Sequence, residues 1–137
     1  MNVLFGPKEA GILGEQAARL EMSARELALF GEQDPGLAGE CGVEVNALEA
    51  RTILSGGVCR RLAGLAAESV RSGKPVPVAA NDLDMLGRLD EVVALGNGRI
   101  GLKIAAIDAE KGQEGAAKLG SIIGLATGAV GLVKSIF

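Results

Sequence analysis

The sequence contains no histidine, no tryptophan and no tyrosine; its aromatic residues are Phe5, Phe30 and Phe137. Without histidine, the commonest general base, the Ser–His and Cys–His nucleophile systems and most zinc sites are excluded. So few aromatics leave no stacking platform for single-stranded nucleic acid. Cysteine is scarce as well. Cys41 and Cys59 lie 18 positions apart with no second pair, so one chain cannot supply a four-cysteine metal site. A single disulfide is one reading; two free buried thiols, in a reducing cytosol, is the expectation. The opening MNVLFGPKEAGILG lacks a charged n-region ahead of a long apolar run, so no secretory signal is expected. An excess of positive charge is missing too. Fourteen Lys and Arg stand against 17 Asp and Glu, for a formal net charge of −3. That balance argues against a nucleic-acid binder driven by phosphate attraction.

What is present is glycine and small aliphatic bulk. Apolar residues make up 48% of the 137 residues, and glycine contributes 21, about twice its usual share. By length the chain is one domain with one core. A core of Ala, Leu, Ile, Val and Gly has little bulk per residue, and its faces suit close approach to other backbones.

The pattern reads as all-α: two shorter helices, then a long C-terminal helical region with a Gly/Ala-rich apolar tail. Residues 8–33 place Leu13, Ala17, Leu20, Ala24, Leu27 and Ala28 at spacings of three and four, an amphipathic helix. Pro7 suits its start, and Asp34-Pro35-Gly36 its end. Residues 34–45 read as loop. Asn46 and Glu49 match a capping box, predicting a helix over 47–71 with Leu48, Thr52, Leu62, Leu65, Ala66 and Val70 inward. Ser55-Gly56-Gly57 is its weak point. SGKPVPV, 72–78, is extended, because residues before proline avoid the helical region. Asn81 and Asp82 are caps for a further helix over 82–118, with Leu83, Leu86, Leu89, Val93, Ile100, Ile104 and Ile107 on its apolar side and an interruption near Gly96–Gly98. The organisation is therefore 1–45, an amphipathic helix and loop; 46–119, a helical body with an extended break at 72–80; and 120–137, an apolar tail helix.

GNGRIG, residues 96–101, is a literal G-x-G-x-x-G. A dinucleotide site needs a further strand with an acidic residue at its end to hold the ribose. The last acid is Glu114, so the match reads as coincidence in a glycine-rich chain, and no cofactor is expected. Asp82, Asp84, Asp90 and Glu91 cluster around a helix start, which favours interaction with the helix terminus and solvent over a metal site. No catalytic or metal-ligating set is assigned.

The tail is more informative. Gly112, Ala116, Gly120, Gly124 and Gly128 recur every fourth residue. On a helix they form a ridge of missing side chains. Each glycine costs about 1 kcal/mol relative to alanine, and close helix contact is the usual compensation. They are the candidate residues for helix packing and oligomerisation. Ile122, Ile123, Leu125, Val130, Leu132 and Val133 are too apolar for a solvated linker and are the candidates for burial in membrane or in a subunit contact. Residues 120–137, as a helix, would reach about 27 Å, just short of an apolar bilayer thickness of about 30 Å.

The second half, through Ala66-Ala67, Ser72-Gly73, Leu86-Gly87-Arg88-Leu89-Asp90, Ala105-Ala106 with Ala109, and Gly120 to Gly131, resembles small internal virion (ejection) proteins of short-tailed bacteriophages. The likeness is one of layout over roughly residues 60–131: Ala-rich helices, small-residue turns and a Gly/Ala-rich apolar end. It implies a non-enzymatic protein held in the virion and delivered to the host cell envelope. There it would assemble with itself, and with other virion proteins, into a ring or tube meeting the host membrane. DNA would pass through the lumen without sequence recognition. The rival expectations are a capsid, portal or tail component that never meets lipid, a holin-like or toxin-like membrane-active protein, and an enzyme using Gly96–Gly101.

Overall fold

Pro7 occupies the first turn of a helix, where its missing N–H costs nothing, and the chain ahead of it is extended. The computed structural model describes residues 1–111. Strand β1 (Asn2–Phe5) leads into α1 (Pro7–Gln33), followed by α2 (Pro35–Cys41), α3 (Glu44–Ser55), α4 (Val58–Ser72), β2 (Val76–Ala79) and α5 (Ala80–Lys111). The described chain is mostly helical, as its periodicity predicts, but it is not all-α. β1 and β2 pair antiparallel, Asn2 opposite Ala79 and Phe5 opposite Val76. Of the segment read as extended, Ser72 ends α4 and Val76–Ala79 forms the strand, whose partner is the N-terminus. Val76 and Val78 turn into the core while Pro77 faces out, the period-two alternation of a half-buried strand. The N–H of Ala80 reaches the Met1 carbonyl at 3.0 Å.

α1 is the central element. Its inward face is the predicted one: Leu13, Ala17, Leu20, Ala24, Leu27 and Ala28 are all buried, with Ala10 and Phe30 added. α4 and α3 pack along it, and α5 closes the other side against α1 and α3. Small residues set these spacings. A Cβ built on Gly14 would lie 2.6 Å from the Ala66 Cβ of α4, and one on Gly31 would lie 2.5 Å from the Ala47 Cβ of α3. A Cβ on Gly96 of α5 would lie 2.9 Å from Leu27. α1 approaches α4 and α3 at backbone distance because glycine faces alanine there, whereas at Gly96 it is the end of the Leu27 side chain that comes close.

Three local expectations change. Residues 34–45 are not loop: Asp34 caps α2, its Oδ1 accepting from the Leu37 N–H at 3.1 Å, and Gly42 ends that helix with φ 72°, the left-handed closure glycine favours. Asn46 is not a cap. α3 begins two residues earlier, so Asn46 lies buried within its first turn. The stripe follows, with Ala47, Ala50 and Ile53 buried and Leu48, Thr52 and Val70 exposed. The break at Gly56-Gly57 is as expected, with Gly57 at φ 75°. The interruption expected at Gly96–Gly98 is absent, because α1 packs against Gly96 and α5 runs through unbroken.

Candidate functional site

The residues singled out for helix packing, Gly112, Ala116, Gly120, Gly124 and Gly128, lie outside the described residues. So do Ile122, Ile123, Leu125, Val130, Leu132 and Val133, and with them the tail helix and the last turns of the 82–118 helix. The remaining sequence candidates fall on α5 and its surroundings.

GNGRIG lies in the interior of α5. A phosphate cradle presents free N–H groups where a loop meets a helix; inside a helix those groups are spent on the preceding turn. The motif instead separates by face. Gly96 and Ile100 turn toward the core, Asn97 is 3% exposed, and a Cβ on Gly98 or Gly101 would meet nothing within 4 Å among the described residues. Arg99 reaches sideways. Its Nη1 donates to the Gly42 carbonyl and to Asn46 Oδ1, both at 2.9 Å. Asn46 Nδ2 in turn donates to the Val92 carbonyl at 3.2 Å. This buried amide ties α3 to α5, Arg99 carries the link on to the turn after α2, and the role is invisible in a sequence where Asn46 reads as a cap.

The acids separate similarly. Asp82 takes a two-pronged contact from Arg61, 3.1 Å to Nε and 2.8 Å to Nη2, while Arg61 also donates to the Gly56 carbonyl. The Arg61 guanidinium holds the Asp82 carboxyl below its usual range. Glu91 pairs with Arg88 at 3.4 Å, and Arg88 pairs more closely with Glu49 of α3 at 2.6 Å. Asp90 differs from these: its Oδ1 is buried with no hydrogen-bond partner. Burial, aided by the Glu91 charge, pushes its carboxyl up to about 6. Among the described residues no three acidic or cysteine side chains gather as a metal site. Cys41 and Cys59 are free and buried. Burial raises both thiols, Cys59 to about 11, so neither is a ready nucleophile.

Two of the surfaces among the described residues bear on binding. One is a shallow trough between α1 and α4 floored by Gly11, Gly14, Ala63 and Ala66. The other is the outer side of α5, where Leu95 is 53% and Leu102 74% exposed, beside Gly98 and Gly101. Val45 of α3, also exposed, extends this patch along a groove bordered by Arg88 and Arg99. Leu95 and Leu102 are absent from the predicted stripe because they fall opposite it; their seven-residue separation was the signal available. Among the described residues no helix is long and apolar enough to cross a membrane. No protein-family model matches the chain, and no curated protein or solved structure matches it.

Proposed function

We propose that the protein is a non-catalytic assembly subunit, of the kind that short-tailed phages carry as internal ejection proteins. In this reading copies assemble, with other virion proteins, into a ring or tube forming a conduit for DNA through the host cell envelope. The observation that carries the assembly part is the exposure of Leu95 and Leu102, among the described residues, on the outer side of α5 beside Gly98 and Gly101. An exposed apolar face of this kind is characteristic of a surface that meets another protein or a membrane. The virion and envelope part rests on the layout shared over residues 60–131 and on the apolar residues 120–137.

The test is flotation of the purified full chain with liposomes, followed by electron microscopy of the floated fraction. A Leu125→Glu/Val130→Glu variant serves as comparison. The reading expects the parent chain to float as rings of uniform size and the variant to stay in the soluble fraction. Rings without flotation would replace the conduit with a capsid, portal or tail role. Flotation without any ordered assembly would favour a holin-like or toxin-like role.

A further inference from the structure

The outer residues of α5 keep a regular spacing. Leu95, Gly98, Leu102, Ala105 and Ala109 step along the helix by three and four, which holds them on one line, the seam of a two-helix packing. Leu95, Leu102, Ala105 and Ala109 are exposed, and a Cβ on Gly98 would meet nothing within 4 Å among the described residues. Glu91, a turn earlier, closes the line at one end. Arg99 lies at its margin, with its guanidinium turned to the Gly42 carbonyl and Asn46.

The line also runs past the body of the molecule. β1 leads into α1 and its partner β2 into α5, and Leu27 of α1 meets Gly96 of α5, so the two helices run in the same direction. From that contact α1 continues to Gln33, about 9 Å, and α5 to Lys111, about 22 Å. The last turns of α5 therefore project beyond α1, and there even Ile104 and Ile107 are only half-buried. A helical stretch of so few turns is marginal without packing.

The sequence that follows carries a matching half. Ile122, Leu125, Ala129, Leu132 and Ile136 repeat the three-four spacing over the same number of residues, about 21 Å on a helix. Thr127, Lys134 and Ser135 would fall on the opposite side, with Gly120 and Gly124. Lys111 lies eleven positions before Ile122. That leaves room for one more half-turn of α5 and a connection around Gly115, of the 2–5 residues that join antiparallel helices. Folded back so, the segment meets α5 in five layers: Ile122 on Ala109, Leu125 on Ala105, Ala129 on Leu102, Leu132 on Gly98 and Ile136 on Leu95. In four of these a large residue meets a small one, which lets two helices interlock. A short tether holds such a segment at about millimolar effective concentration.

We propose that residues 118–137 dock on the outer side of α5 in the same chain, antiparallel, as an αα-hairpin turning at Gly115. The turn replaces the continuation to 118 that periodicity predicts. The contact goes beyond the proposed function and bears on it at one point: a chain that gives this segment to lipid bares Leu95 and Leu102 for a neighbouring subunit. The docking itself needs neither lipid nor a second copy.

The test uses the full chain in lipid-free buffer. Leu102→Cys/Ala129→Cys is expected to form a disulfide within single chains under mild oxidation, read on a non-reducing gel. Leu102→Cys/Gly120→Cys, with its second thiol about 13 Å further along and on the far side, is expected to stay reduced. The parent, whose Cys41 and Cys59 are free and buried, is the control for the native thiols. Hydrogen exchange supplies a second readout. In a Leu125→Glu/Leu132→Glu variant, amides of residues 99–109 should exchange about tenfold faster or more, while those of α1 stay protected. No disulfide in the 102–129 pair, equal yields from the two pairs, or unchanged exchange over 99–109 overturns the inference. A 102–129 disulfide that joins two chains overturns its intrachain form and makes the occupant a second copy's segment. None of these results depends on flotation, so this inference and the proposed function fail separately.

Discussion

Gly31 and Gly98 are the same residue type in similar helical backbone, and the structure gives them opposite roles. At Gly31 an added methyl would sit 2.5 Å from the Ala47 Cβ, so α1 and α3 would have to separate. At Gly98 the same methyl meets nothing within 4 Å among the described residues. Gly31→Ala is therefore expected to destabilise the chain by about 1–3 kcal/mol, the range for overpacking a tight contact. Gly98→Ala should stabilise the helix of the monomer by up to about 1 kcal/mol. Urea unfolding of both variants, followed by helical circular dichroism, checks the opposite signs. A sequence reader sees only that glycine is frequent. Which glycines touch a neighbour depends on which helices meet, and no local pattern holds that information.

At the scale of elements, α2 is the informative miss. PGLAGEC has two glycines, a proline and seven residues in all, too short and too poor in helix formers to persist alone. It is held by its surroundings. Asp34 supplies the cap, Val43 is fully buried just past the end, and Ala38 and Cys41 sit in the core. Asp34→Ala should cost about 1 kcal/mol, the usual value of such a cap. The loss should appear as faster hydrogen exchange at Leu37 and Ala38 while α1 stays protected. α1 itself was legible down to its ends, because a proline start, a long apolar stripe and an Asp-Pro stop agree with one another. α5 was legible as a helix but not as an unbroken one, since the pressure of α1 on Gly96 is a tertiary contact.

At the scale of the whole molecule, Asp90 is a group whose protonation is coupled to folding near neutral pH. Its folded pKa, about 6, lies above the ordinary carboxyl value of 3.8. The protonated form is thus favoured in the folded state. The stability this contributes is fully present below about pH 4 and is lost as pH rises through about 6. Asp90→Asn removes the titration. The variant is expected to gain on the parent by about 1 kcal/mol between pH 4 and pH 7, a figure already reduced for solvent screening at a partly exposed site. The check is the difference between the two urea midpoints across that range. A difference that does not change with pH would mean that Asp90 has an ordinary pKa in the fold.

The sequence by itself determined the helical class, the face of α1, the break at Gly56-Gly57 and the absence of a histidine-based site. All of these are local: they rest on spacing, backbone freedom or residue type. It also marked the strand around Val76 and Val78 as extended, but not its partner, because pairing Phe5 with Val76 joins residues distant in the chain. The tertiary structure alone decided that Asn46 is a buried link and not a cap. It placed GNGRIG within a helix and turned Gly98, Gly101, Leu95 and Leu102 to the outside. Helical period says which residues share a face; only packing says which face the rest of the molecule covers.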